Sequence, residues 1–82
     1  MPNLGKPVTV ETQKIGQRLV ISSVERAAEF MLQEWPSSIR GEAFGRAQAV
    51  LLGALEGKTK PTAARKAFLD ALNESGIYVF DE

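Results

Sequence analysis

Hydrophobic residues change their spacing along this chain, and that change limits the folds that it can adopt. Near the N-terminus, residues 8–11 alternate apolar and polar side chains, which is the spacing of a half-buried strand, and residues 18–21 form a short β-branched run. Three longer segments then repeat apolar residues every three or four positions, as helices do, and a β-branched and aromatic run follows them. Because the strand and helix patterns are segregated along the sequence, they indicate an α+β layer fold.

The two N-terminal segments predict a β-hairpin. Residues 8–11 alternate apolar and polar side chains, and residues 18–21 form a second β-branched run. The connection between them contains Gly16 and is longer than a tight two-residue turn. Residues 1–6 have little apolar content and predict a flexible tail, so residues 7–82 are expected to form one α+β domain.

Cap signals predict the first helix. Ser22 to Glu25 match a capping box with Ser22 as the N-cap, and Pro36 stops the helix at Trp35. The apolar residues of this helix share one face at helical spacing: Val24, Ala27, Ala28, Met31, Leu32 and Trp35.

Turn residues divide the rest of the chain. The second helix is expected over about residues 41–56, with Gly57 as a left-handed cap. Pro61 suits the first turn of the third helix, and Gly76 ends that helix. A last strand over residues 77–80 completes the order β-β-α-α-α-β. The predicted architecture is a three-stranded sheet packed on three helices, and the sequence leaves open which hairpin strand the last strand joins.

Composition excludes several functional classes. The chain has no cysteine and no histidine, so disulfides, Cys/His zinc sites and Ser-His or Cys-His catalytic pairs are excluded. Ten basic and ten acidic residues give a net charge of zero, which argues against nucleic acid as a partner and permits self-association. Without a signal peptide pattern or a long apolar stretch, we expect a cytoplasmic protein with no membrane, metal or cofactor.

A family resemblance covers nearly the whole chain, from about Lys6 to Phe80. The residues that carry it are the Ala-Ala-Glu-Phe-Met-Leu run at 27–32, Trp35-Pro36, Arg40-Gly41, Gly57, the Ala-Arg-Lys-Ala-Phe-Leu run at 64–69, Ala71 and Gly76-Ile77. In these features the sequence resembles the "domain of unknown function 982" family of small alphaproteobacterial proteins. The resemblance implies one domain in a bacterial cytoplasm. It implies no activity, cofactor or catalytic residue.

The last strand is the main candidate for a protein contact. Ile77 and Val79 point to one face of this strand, and Tyr78 and Phe80 point to the other. If the aliphatic pair packs on the helices, Tyr78 and Phe80 lie on the open face of the sheet with Val20. A contiguous apolar patch indicates a contact surface, whereas scattered exposed apolar residues are normal.

The helices add to this hypothesis. The apolar residues of 41–56 cover more than half of the helix circumference, so that helix requires cover on two sides, within the fold or by a partner. Phe30, at the edge of its apolar arc, and Leu69, on the outer side of its helix, are expected to be poorly covered. Trp35 fits a core position, and the alternative is an aromatic anchor for a partner. We therefore expect a non-enzymatic interaction module, working as a homodimer or on another protein, with Phe30 as a lesser contact.

A basic cluster provides an alternative function. It surrounds the start of the third helix and consists of Lys58, Lys60, Arg65 and Lys66. Backbone N–H groups and the helix dipole attract anions there, which suggests a phosphate or nucleic-acid contact. The alternative is a solvated turn, since glycine-rich phosphate-loop spacing is absent. A helix-turn-helix interpretation would turn Leu69 outward, although acidic residues on the same helix would repel phosphates.

The carboxylates do not predict a catalytic pair. They are expected on outer, solvated helix faces: Glu25, Glu29, Glu34, Asp70 and Glu74. We therefore expect no catalytic, cofactor-binding or metal-binding residues, and no enzymatic activity.

Overall fold

The computed structural model describes residues 3–11, 17–35 and 40–80. Its elements, in chain order, are β1 (Asn3–Glu11), β2 (Arg18–Ser23), α1 (Val24–Gln33), α2 (Glu42–Leu55), α3 (Pro61–Glu74) and β3 (Val79–Phe80). The predicted β-β-α-α-α-β order and the α+β class are confirmed.

The first strand lies at the centre of the sheet. The strand order is β2-β1-β3, and both pairings are antiparallel. Thr9 of β1 is therefore paired with Val20 on one side and with Phe80 on the other. The predicted hairpin is confirmed, while its connection, including Gly16, lies outside the described residues.

The first strand begins earlier than the alternating pattern predicts. Residues 3–6 belong to β1 and Leu4 is fully buried, so the prediction of a tail is wrong for these residues. The pairing with β2 shifts register between Asn3 and Val8, and Gly5 has a φ of 83°. Such an irregularity interrupts the two-residue period, and the sequence pattern therefore failed to identify this part of the strand.

The first helix is capped one residue later than predicted. β2 continues through Ser23, whose backbone is extended and whose side chain accepts a hydrogen bond from the Arg26 N–H at 3.0 Å. Because Arg26 occupies the position where a capping box has Glu or Gln, the reciprocal bond predicted for Ser22 is replaced by a single cap. Pro36, the predicted stop, lies outside the described residues.

The ends of the other helices follow the glycine signals. Gly57 and Gly76 have φ values of 78° and 72°, as left-handed caps require. After α3, the N–H of Ile77 donates to the Leu72 carbonyl at 2.9 Å and that of Gly76 donates to the Asn73 carbonyl at 3.2 Å. These two hydrogen bonds hold Ile77 at the helix end, so β3 begins at Val79 rather than at residue 77.

The helices form two layers on one face of the sheet. α1 and α3 pack on the strands, whereas α2 packs on α1 and α3. The core between them includes a chain of edge-to-face aromatic contacts. Trp35 lies 5.8 Å from Phe30 and 4.9 Å from Phe44, and Phe30 lies 6.2 Å from Phe68, measured between ring centroids.

The core includes two residues that were predicted to be exposed. Phe30 is fully buried between Trp35 and Phe68, so its assignment as a protein contact is wrong. Leu69 is also buried, which contradicts both its expected exposure and the outward position that a helix-turn-helix requires. The core position predicted for Trp35 is confirmed.

Candidate functional site

An open apolar groove lies between α1 and α2. Its volume is about 260 Å³, and we call it the leucine groove. It is lined by Ala28, Met31, Leu32, Gln48, Leu51, Leu52 and Leu55. Among the described residues that line it, Gln48 is the single polar one and none is titratable. The groove therefore offers mainly van der Waals contact, with one amide for hydrogen bonding.

The leucines at the rim of the groove are unusually exposed for their size. Leu32, Leu52 and Leu55 have 70%, 58% and 40% of their surface accessible, whereas Met31 and Leu51 in the floor are buried. Exposed apolar area is unfavourable in water by roughly 25 cal/mol per Å². A contiguous set of such side chains around a concave surface is typical of a binding site.

The layered arrangement of the helices produces this groove. The inner side of α2 packs on α1 and α3, but its apolar arc is wider than that contact. Leu52 and Leu55 therefore remain outside the core. The sequence indicated surplus apolar surface on this helix. It did not identify Leu32, which was assigned to the core face of α1.

Acidic residues flank the groove on α1. Glu25 precedes Ala28 by three positions and Glu29 precedes Leu32 by three, so each lies one turn from a lining residue. Both carboxylates are exposed. Arg26 contacts Glu29 at 3.2 Å and also contacts Glu34, so one guanidinium serves two carboxylates. Glu25 and Glu29 thus place negative charge on α1 beside the groove, and Arg26 is shared between Glu29 and Glu34.

The Arg26–Glu34 contact shifts the pKa of each side chain in the direction that favours its charged form. The hydrogen bond from Arg26 lowers the pKa of Glu34 below its ordinary value, and the same bond raises the pKa of Arg26. Both side chains keep contact with water, with 28% of Arg26 and 44% of Glu34 accessible, so solvent screens most of this interaction.

The open face of the sheet forms a second apolar surface. Ile77 and Val79 pack on the core, and Tyr78 and Phe80 therefore lie on the other face. The Tyr78 and Phe80 rings meet edge-to-face at 4.6 Å, and the Arg18 guanidinium lies 4.2 Å from the centroid of the Phe80 ring. Tyr78 and Arg18 thus cover part of the Phe80 ring.

The predicted contact residues of this face lie together. Val20 and Tyr78 are 58% and 60% accessible, and Phe80 is half-buried. Val20, Thr9 and Phe80 form one cross-strand row, since Thr9 pairs with both of the others. Their role in binding a protein stays a prediction.

The basic residues near α3 are engaged with several different elements. Arg65 Nε donates to the Lys6 carbonyl of β1 at 2.9 Å, Lys66 pairs with Asp70 at 3.3 Å, and Lys58 pairs with Glu56 at 3.6 Å. These pairings reduce the positive charge available to an anion. Anion contact at Lys58, Lys60, Arg65 and Lys66 therefore stays a prediction.

The described residues also bear on the metal and membrane expectations. Within residues 3–11, 17–35 and 40–80, no group of three or more Asp, Glu, His or Cys side chains is arranged to hold a metal ion. None of the three helices in this part of the chain combines the length and hydropathy of a membrane span.

Comparison with protein families agrees with the sequence resemblance. Residues 6–79 match the model of the family described as Protein of unknown function (DUF982), a match that includes the leucine groove, all three helices and β2. The chain belongs to the DUF982 family. Comparisons with curated proteins and with solved structures gave no match. Since the DUF982 description carries no activity, a function for this member has to be argued from its own surfaces.

Proposed function

We propose that this chain is a non-enzymatic interaction module that binds an amphipathic helix of a partner protein in the leucine groove. The observation that carries the proposal is the exposure of Leu32, Leu52 and Leu55 around one concave apolar surface. A helix that places apolar residues three, four and seven positions apart presents a ridge of the kind that such grooves bind. The buried floor of Met31 and Leu51 supplies contacts at the bottom of the groove.

The charge around the groove specifies the partner further. Glu25 and Glu29 border the lining residues of α1, and the charges of Glu29 and Glu34 exceed that of their shared partner Arg26. Complementary charge steers association and orients a partner. The preferred helix therefore carries Lys or Arg beside its apolar stripe, and an acidic helix is disfavoured.

Two further observations support binding rather than catalysis. The described residues that line the groove include no titratable side chain, which general acid–base chemistry requires. The chain has no histidine or cysteine, which removes the commonest general base and the thiol nucleophile. A cytoplasmic location is part of the proposal and rests on the sequence pattern alone.

The experiment uses a synthetic amphipathic peptide of leucine, alanine and lysine with leucines at helical spacing. The peptide is titrated into methyl-labelled protein at low and at moderate salt. We expect saturable chemical-shift changes at Met31, Leu32 and Leu52. Binding should be weaker at moderate salt than at low salt, because salt screens the charges of Glu25 and Glu29. A peptide with glutamate in place of lysine should bind more weakly.

A matched pair of variants distinguishes binding in the groove from non-specific hydrophobic association. Leu52 and Val20 are both 58% accessible, but Leu52 lines the groove and Val20 lies on the open face of the sheet. Leu52→Ser should weaken peptide binding by roughly fivefold to tenfold, and Val20→Ser should leave it unchanged. Equal weakening by both variants, or methyl shifts confined to Thr9 and Val20 on the open face of the sheet, would contradict the proposal.

A further inference from the structure

The outer edge of β2 is unpaired within the part of the chain that the structure describes. β2 is the first strand in the order β2-β1-β3, so no other described strand pairs with that edge. It is a strand of six residues, Arg18–Ser23, whose pairing with β1 is regular from Arg18 to Ile21. The other edge of the sheet differs, because β3 contains only two residues, Val79–Phe80.

The hydrogen bonds of β1 show which groups of β2 point outward. The Glu11 N–H donates to the Tyr78 carbonyl on the β3 side, at 3.1 Å. Main-chain groups of successive strand residues point to opposite edges, so Val10 and Val8 direct theirs toward β2. Their partners Leu19 and Ile21 are therefore bonded to β1. It follows that the N–H and C=O groups of Arg18, Val20 and Ser22 point to the free edge.

We infer that two copies of this chain pair antiparallel through β2, about a twofold axis at Val20. In this register Val20 faces Val20 of the second copy, and Arg18 faces Ser22. Each facing pair has its main-chain groups directed toward the other, so each exchanges two hydrogen bonds, about six in all. In a register centred on Leu19, Ser22 would face a position that lies before the first residue of β2. That register therefore brings fewer outward main-chain groups of the two strands together.

The side chains suit this register on both faces. On the helix side, Leu19 is only partly buried in the monomer and gains cover from the second copy, whereas Ile21 is already fully buried in its own copy. On the open side, Val20 packs on Val20 of the second copy, and Arg18 faces the neutral Ser22 rather than another cation. The row of Phe80, Thr9 and Val20 then continues across the axis as one apolar stripe.

The strand lacks the features that prevent such pairing. Protected edges commonly carry proline, central lysines, bulges or very short strands. β2 contains no proline and no lysine, and its one charged residue is Arg18 at its first position. Its register with β1 is regular from Val8 to Glu11. The zero net charge of the chain adds no overall repulsion between copies.

The experiment is sedimentation equilibrium of the full chain over a wide concentration range, with Val20→Pro as the test variant. Proline removes an N–H that is not bonded to β1, and it is tolerated at such an edge position. The dimer loses one hydrogen bond from each copy, so we expect its dissociation constant to rise about 30-fold. Val20→Thr keeps the N–H and the β-branch, and it should dimerise like the parent. Circular dichroism checks that both variants fold.

A charge exchange tests the register without proline. Val20 faces Val20 of the second copy, so a charge at this position meets the same charge across the axis. Val20→Lys and Val20→Glu should therefore each be monomeric, while an equimolar mixture should form heterodimers. A parent chain that stays monomeric at millimolar concentration would overturn the inference, as would a mixture that fails to associate. A dimer lost with Leu52→Ser but retained with Val20→Pro would place the interface in the leucine groove and overturn it as well. The peptide-binding result at the groove is independent of these outcomes.

Discussion

The carboxylate of Glu74 lies 3.2 Å from the backbone nitrogen of Ala43 and accepts its hydrogen bond. Its other oxygen accepts from the Phe44 N–H at 3.4 Å. The N-cap of α2 is Gly41, which provides no side-chain bond. A side chain in the last turn of α3 therefore supplies the cap of α2, and its charge also complements the positive end of the α2 dipole.

Replacing Glu74 should destabilise the fold through this cap. We expect Glu74→Ala to reduce the free energy of unfolding by about 1 kcal/mol, as the loss of an N-cap does. Urea denaturation measures the change. Asp70→Ala on the same helix is the control, because it breaks an exposed pair with Lys66 and should cost no more than about 0.5 kcal/mol. Equal effects of the two variants would contradict a capping role.

Gly41 should be coupled to Glu74. A Cβ at Gly41 would lie 2.8 Å from Glu74 Oε1 and 2.9 Å from Oε2, so any side chain there pushes the carboxylate away. We expect Gly41→Ala to cost about 1 kcal/mol, mainly through the lost cap. In the Glu74→Ala background the same change should cost much less. A double-mutant cycle measures this coupling, and additive costs would show that the clash is relieved without losing the cap.

The burial of Phe30 predicts a large difference between two aromatic positions. Phe30→Ala removes a ring that contacts Trp35 and Phe68 in the core, and should cost about 3–5 kcal/mol. Tyr78→Ala removes a mostly exposed ring and should cost less than about 1 kcal/mol. Thermal unfolding compares the two variants, with Phe30→Leu as a milder change if Phe30→Ala does not fold. Similar costs at both positions would mean that the open sheet face contributes as much as the core.

The Arg26–Glu34 pair predicts a small dependence of stability on pH. Its hydrogen bond lowers the pKa of Glu34, whose ordinary value is 4.5, while Arg26 stays charged throughout the acid range. The pair therefore contributes fully above pH 4.5, and its contribution is lost as the pH falls through the lowered pKa of Glu34. Since both groups are solvent-exposed, the contribution should not exceed about 0.5 kcal/mol.

Glu34→Gln provides the measurement for this pair. The difference in unfolding free energy between the parent chain and Glu34→Gln should be constant from pH 5 to 7 and should shrink below pH 4.5. A difference that grows in acid would have the wrong sign for a carboxylate with a lowered pKa.

Local signals in the sequence predicted most of the secondary structure. Pro61 begins α3, and Gly57 and Gly76 take the left-handed conformation after α2 and α3, because a proline ring and a missing Cβ act within a single turn. The errors were also local. Ser22 and Ser23 are both competent caps, and the choice between them depends on where the pairing of β2 with β1 ends.

The candidate surfaces were only partly predictable. Tyr78 and Phe80 could be assigned to one face of the last strand because strand side chains alternate, and the structure places them on the open face with Val20. The sequence assigned Leu32 to the core and Phe30 to the surface, and the structure shows the reverse. Both lie on the apolar arc of α1, and the periodicity does not show which edge of that arc faces α3 and which faces the groove.

The sequence by itself determined the fold class, the order of the elements and most of their ends, because spacing, prolines and glycines act over a few residues. The tertiary structure alone decided the central position of β1, the burial of Phe30, the leucine groove and the Glu74 cap on α2. Each of these joins residues that are distant along the chain. Such contacts depend on how whole elements pack, which no local pattern specifies.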